Sequence, residues 1–197
     1  MSKGHPAEAI RRAAAAGQHS FAESRLQEAA AKQAALGDLE PLDWHFIGRL
    51  QSNKARGVLR RFGTIHSVDD TALAERLRRI AAEEGCAPRI FLQVKLRPDP
   101  NKTGFDPDAL RAAWPGLQEM EPLRIVGLMT IAPFDLPAGD RRRLFAECAS
   151  LAAELKLPEL SMGMSGDWRD AVAAGSTWVR LGTAVFGART DSPTAFP

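Results

Sequence analysis

Short apolar runs alternate along the chain with longer amphipathic stretches. Phe21-Ala22-Glu23-Ser24, Trp44-His45-Phe46-Ile47, Thr64 to Val68, Arg89 to Leu96, Ile125 to Ile131, Leu160-Ser161-Met162 and Thr177 to Leu181 read as strands. Ile90-Phe91-Leu92 is continuously apolar, as suits a parallel strand covered on both faces. The stretches between them have helical spacing. One helix begins at Pro6 and runs to Ala16, with Gly17 as its stop, and another runs from Arg25 to Leu36 before Gly37. Gln51-Ser52-Asn53 lead into a third, through Arg61. Thr71 to Glu84 sets Leu73, Leu77, Ile80 and Ala81 on one face, with Asp69 or Asp70 as N-cap and Gly85 as stop. Further helices are expected from about Asp108 to Trp114, from Gly139 to Leu155, and between Asp167 and Gly175.

Strict alternation of strand and helix predicts a parallel sheet covered by helices. Seven strands are read, and only Met1-Ser2-Lys3 lies upstream of the first helix. In an eight-stranded barrel that fragment would be the C-terminal end of the first strand. A doubly wound open sheet is the alternative, but no GxGxxG turn supports it. The expected fold class is therefore α/β, a (β/α)8 barrel truncated at its first helix and first strand. It forms a single domain over residues 1–189, with a disordered tail at 190–197. A barrel without its first strand would leave two strand edges unpaired and hold Lys3 on a fraying terminus.

Composition narrows the function classes. With 197 residues, 45% hydrophobic and 25% charged, the chain suits one domain with a sizeable core. A net charge of +2 argues against nucleic acid and anionic membranes as partners. Two cysteines, Cys86 and Cys148, lie far apart with no metal-ligand spacing. No apolar run is long enough to span a bilayer, and no signal peptide is visible, so a cytoplasmic location is expected.

In a barrel, function collects at the C-terminal strand ends. There stand Lys3, Glu23-Ser24, His45 with Gly48, His66-Ser67-Asp69, Gln93 with Lys95, Met129-Thr130, Ser161 with Ser165, and Arg180 with Gly182-Thr183. The last two turns, at Gly163–Ser165 and Gly182-Thr183, put small or hydroxyl residues where helices begin, which would make a phosphate cup. A lysine facing such a cup suggests a Schiff base to a phosphorylated aldehyde. Each residue also has a plainer role: Lys3 as a solvated tail charge, His45 and His66 as packed core groups, Ser161 and Ser165 as helix caps. Arg180, between Val179 and Leu181 in a buried strand, needs a partner whatever its role.

The motifs carry a family resemblance. Ser2-Lys3-Gly4-His5-Pro6, FAESRLQE from Phe21, WHFIGRLQSNKAR from Trp44, IHSVD from Ile65 and LQVKL from Leu92 come in family order. KTGF from Lys102, GLMTI from Gly127, LSMGMSGDW from Leu160 and VRLGTAVFGAR from Val179 complete the set. The chain resembles the pyridoxal 5′-phosphate (PLP) homeostasis proteins, single-domain relatives of the alanine racemase barrel. The resemblance implies PLP as cofactor, held as a Schiff base by Lys3. Its phosphate would lie on Ser165, Gly182 and Thr183, with Ser161, Gly163 and Met164 shaping the pocket. Arg180 would face the pyridine nitrogen, His45 would sit close to the ring, and Ser67 and Met129 would line the barrel mouth. Ser24 stands where the family usually has asparagine, Ala22 where it has glycine, and His5 where it has a second lysine.

The same resemblance implies a non-enzymatic protein that buffers or delivers PLP, with PLP-dependent apo-enzymes as recipients and a monomeric state. A weak racemase or lyase-like enzyme is the alternative. Against racemisation stands the second base: the racemases take it from a tyrosine of a further domain, and this chain has no tyrosine.

Overall fold

The computed structural model describes residues 1–99 and 102–188. The tail expected at 190–197 lies outside the described residues. Seven parallel strands form one sheet whose spatial order is the chain order: β1 (Ser20–Glu23), β2 (Asp43–Phe46), β3 (Thr64–Val68), β4 (Arg89–Gln93), β5 (Arg124–Met129), β6 (Glu159–Met164) and β7 (Trp178–Arg180). The helices are α1 (Ala7–Ala15), α2 (Leu26–Ala35), α3 (Ala55–Leu59), α4 (Thr71–Glu84), α5 (Pro107–Leu117), α6 (Ala138–Glu154), α7 (Trp168–Ala173) and α8 (Thr183–Phe186). The sheet curls into a nearly closed barrel.

Local chemistry sets most boundaries. Asp70 caps α4 by accepting the Leu73 N–H at 2.6 Å, and Gly85 ends it in the left-handed conformation at φ 64°. The expected helix from Ser52 to Arg61 divides into a 3-10 turn at Ser52–Lys54 and the short α3. β4 stops at Gln93 because the next backbone groups turn to a loop residue: Phe105 N–H donates to Gln93 O at 2.8 Å and Lys95 N–H to Phe105 O at 2.9 Å. β6 runs on through Gly163, whose φ of 91° brings the strand against α7. A Cβ there would lie 2.6 Å from that of Ala171.

Side chains alternate across each strand. Ile65, Ile90, Leu92, Leu128, Leu160 and Met162 belong to the main apolar cluster, packed with Leu73 and Leu77 of α4, Leu110 of α5 and Phe145 of α6. Ile10, Phe21 and Leu36 make a smaller one beneath α1 and α2. The opposite strand faces enclose a barrel interior holding His45, His66, Phe91, Ser161 and Arg180. His66 stacks on Phe91 with ring centroids 4.3 Å apart.

Between β7 and β1 the gap is spanned by the first two residues. The Met1 amine donates to Leu181 O, and Ser2 N–H donates to Ala22 O at 3.1 Å. Burial lowers the Met1 amine to a pKa of about 6. The fraying expected for this segment is countered by a buried lysine. Lys32 Nζ donates to Ser2 O at 2.7 Å, to Glu23 Oε1 at 2.6 Å and to Glu28 Oε1 at 2.7 Å, using all three ammonium protons. Ser2 Oγ donates to Glu23 Oε1 at 2.7 Å, and Gly4 N–H to Glu28 Oε1 at 2.6 Å. Lys3 thus projects from a pinned segment.

Candidate functional site

The C-terminal strand ends surround a cavity of about 570 Å³, within the range that takes a drug-sized ligand. Lys3, Ser24, Met164, Ser165, Gly182 and Thr183 all line it, so these expected site residues converge on one space. They come from four separate elements: the pinned N-terminal segment, the end of β1, the β6–α7 turn and the start of α8.

Each contributes a group prepared for a ligand. No hydrogen bond or ion pair among the described residues engages the Lys3 amine. The Ser24 hydroxyl is buried without a hydrogen-bond partner, and such a group calls for one. Gly182 N–H and Ala184 N–H both donate to Ser165 Oγ at 3.2 Å. The serine oxygen occupies a point where two backbone donors converge, the arrangement that holds an anionic oxygen. With α7 six residues long and α8 four, these amides act singly rather than through a helix dipole. Arg141 lines the same cavity, its guanidinium held by Asp170 at 2.8 and 3.1 Å. Asp167 also lines it, its carboxylate taken by the Met164 N–H at 2.5 Å. Arg141 is thus already neutralised by Asp170, which leaves Lys3 as the cation here without a carboxylate partner among the described residues.

Other expected residues lie elsewhere. His45 and Arg180 line a second cavity of about 290 Å³ at the seam between β1 and β7, together with His66 and Trp178. Ser67, Met129 and Ser161 line neither cavity. Ser67 Oγ donates to Gly48 O at 2.5 Å and ties β3 to the end of β2. Met129 is 1% exposed within the packed barrel. Ser161 is fully buried, with its hydroxyl committed to His66 and Arg180.

Arg180 spans the interior. Its Nη1 donates to Ser161 O at 2.6 Å and Ser161 Oγ at 2.9 Å, and its Nη2 donates to Thr130 O at 2.8 Å. A guanidinium has five N–H donors, so two remain for a ligand. Burial pulls its pKa down to about 10, which still leaves it a cation at neutral pH. Below it, His66 Nδ1 lies 2.8 Å from Ser161 Oγ, His66 Nε2 lies 2.8 Å from His45 Nδ1, and His45 Nε2 lies 2.6 Å from Asp43 Oδ2. The His45 hydrogen bond holds the Asp43 carboxyl below its usual range. Burial, with the charges of His45, Arg180 and Arg89 adding to it, puts His66 well below 6.5.

Sequence reasoning missed several lining residues. Met1, His5, Ile47, Ala132 to Phe134, Arg141 and Asp167 all face the upper cavity. The strand-end rule points to the loop after β5 and could have found Ala132 to Phe134. Arg141, inside a helix, carries no such signal.

Two features of the upper cavity fit pyridoxal phosphate, an amine for its aldehyde and converging amides for its phosphate, while Arg180, a buried cation with spare donors, lines the other cavity. The model of the alanine racemase N-terminal domain family matches residues 1–190. A pyridoxal phosphate homeostasis protein of Synechocystis sp. is 50% identical over 186 residues, covering 91% of this chain and 85% of the relative. PipY of Synechococcus elongatus, solved without PLP, is 57% identical with a TM-score of 0.93, covering 94% of this chain and 90% of its own. The PipY structure with PLP bound aligns at 55% identity and a TM-score of 0.91, with the same coverage. The chain belongs to the alanine racemase N-terminal domain family, among its pyridoxal phosphate homeostasis proteins.

Proposed function

We propose that the protein binds pyridoxal 5′-phosphate reversibly in the upper cavity and serves its intracellular homeostasis by buffering or delivering it. The observation that carries this reading is the convergence on one space of the unpaired Lys3 amine, the orphaned Ser24 hydroxyl and the two amides at Ser165. When bound, the cofactor would supply an aldehyde, and Lys3 would be the amine that holds it. Ser165, Gly182, Thr183 and the Ala184 amide would take the phosphate. Ser24 and Met164 would flank the ring, and Arg180 would supply a spare N–H to the ring nitrogen. His45, Ser67, Met129 and Ser161 support the site through the barrel wall and interior. The domain is residues 1–189, acting as a cytoplasmic monomer that hands the cofactor to apo-enzymes.

Catalysis is not part of this reading. Racemisation needs a base on each face of the substrate carbon, and losing one positioned acid–base group costs roughly 100- to 10,000-fold. The family's second base is a tyrosine, a residue absent from this sequence. A protonated Arg180 also leaves the ring nitrogen without a proton, which weakens its electron-withdrawing power.

Borohydride reduction in the presence of the cofactor, followed by peptide mass mapping, tests the site. The expected adduct is on Lys3, and labelling spread over surface lysines would refute the assignment. In parallel, L-alanine incubated with the loaded protein should yield no D-alanine above the level given by the free cofactor.

A further inference from the structure

Away from both cavities, a groove of about 340 Å³ runs between the 3-10 turn at Ser52–Lys54 and α4. It shares no lining residue with the upper cavity. Arg76, Arg79, Ile80 and Glu83 line it from one face of α4, at helical spacing. Ser52, Asn53 and Arg56 form the other side. Residues 49–84 hold eight arginines and lysines against five carboxylates, a larger surplus than the +2 of the whole chain.

Pairing decides which of these charges are available. Arg56 is held by Glu83 and Glu84, and Arg60 donates to Glu84 at 2.6 and 3.0 Å. Those four cancel. Arg78 pairs with Glu75 at 2.9 Å. Arg76 and Arg79 are left without a carboxylate partner among the described residues. Like charges three positions apart on a helix repel each other, and an anion between them would offset that repulsion.

The groove wall is also prepared in its neutral groups. Arg76 Nε donates to Ser52 O at 2.7 Å, which sets its guanidinium against the turn and leaves both Nη groups over. No hydrogen bond among the described residues engages the Arg79 guanidinium, the Ser52 hydroxyl or the Asn53 amide. Two guanidinium forks and two neutral donors therefore share the groove, with buried Ile80 beside them.

These donors select among anions. Arginine forks match the paired oxygens of a carboxylate or a phosphate. A phosphate group brings nearly two negative charges and three acceptor oxygens, so it answers both arginines, whereas a single carboxylate neutralises one. Glu83 in the groove opposes a long polyanion. No aromatic side chain is among the lining residues, so a nucleobase has nothing to stack on.

We propose that the groove between Ser52–Asn53 and the Arg76–Arg79 face of α4 binds a small dianionic phosphate, free or as a compact ester, separately from the upper cavity. Arg76 and Arg79 take the phosphate oxygens, the Ser52 hydroxyl and Asn53 amide add neutral donors, and Arg56 stays with its carboxylates. No covalent bond forms, and the upper cavity plays no part.

The test uses nitrogen–proton correlation NMR of the nitrogen-labelled protein without cofactor. Glycerol 3-phosphate, inorganic phosphate and sodium chloride are titrated in turn at matched ionic strength. The amides of Ser52, Asn53 and Arg79 and the Nε–H signals of Arg76 and Arg79 are expected to shift saturably with phosphate. Tighter saturation by glycerol 3-phosphate assigns the groove to esters, and otherwise it takes free phosphate. Arg79→Gln, at an exposed side chain with no bond to lose, is expected to weaken saturation at least about tenfold, and Arg79→Lys to restore part of it. Shifts that stay linear, that sodium chloride reproduces, or that Arg79→Gln leaves unchanged overturn the site. Saturable shifts confined to Gly182 and Ala184 overturn it too, while supporting the phosphate contacts proposed for the upper cavity. Failure in the groove would leave the Lys3 adduct untouched, and failure of the adduct would leave the groove untouched.

Discussion

His66 lies on a strand whose neighbours in sequence, Ile65 and Ser67, are both buried. Sequence alone left it as either a packed or a functional histidine, and the structure packs it, stacked on Phe91 and bonded at each nitrogen. Its depressed pKa has a consequence for stability. As pH falls through about 6.5, the unfolded chain takes a proton at this position and the native chain does not, so stability is lost in that window and recovered above it. Between about pH 7.5 and about pH 5.5 the native chain should therefore lose stability through His66. His66→Phe keeps the stack and removes the titration. Urea midpoints at the two pH values should therefore converge in the variant relative to the unmodified protein, and an equal pH dependence in both would contradict the neutral assignment. No local pattern could have encoded this residue's bonding, because Ser161 lies 95 positions away. Asp43 was invisible for a different reason. It stands at the N-terminal end of its strand, and strand-end reasoning looks only at the other.

Among the elements, β3 and α4 were legible to the residue, since an apolar run, a capping aspartate and a stop glycine enclose them. The N-terminal segment was not. Its order depends on Lys32, which from sequence is one more basic position in an alanine-rich helix, yet is 6% exposed and bound to two carboxylates. Removing one partner of a buried ion pair leaves the other uncompensated at a cost of about 3–5 kcal/mol. Glu23 is the exposed weakness here: it is fully buried, burial already raises its pKa, and its Oε2 has no partner. Lys32→Met should lower the stability read from urea unfolding by that amount. Glu23→Leu introduced beside it should restore a large part, because the stranded carboxylate is then gone. If the double variant is no more stable than the single one, the pair does not hold the segment as described.

At the scale of the whole molecule, the seam between β7 and β1 differs from the rest of the barrel. Strands β3 to β5 have parallel partners on both sides and buried side chains facing the helices. Across the seam, by contrast, the backbone bonds come from Met1 and Ser2 alone among the described residues. Local opening draws on regions with few such bonds. Amide hydrogen exchange should accordingly be fastest in β1 and β7 among the strands and slowest in β3 to β5. Uniform protection around the barrel would mean that the seam is as firm as the other junctions.

Strand order that follows chain order also has a meaning for synthesis. During translation each new βα unit meets a neighbour that has already emerged, so the sheet grows at one edge as the chain is made. Met1 and Ser2 precede all seven strands, yet Met1 gains its acceptor at Leu181 only when the seventh strand arrives. The amides that converge on Ser165 belong to that same final stretch. A nascent chain therefore carries Lys3 before any strand and the amides at Ser165 only after the seventh, so that the proposed phosphate binding would distinguish chains with all seven strands from those still lacking them.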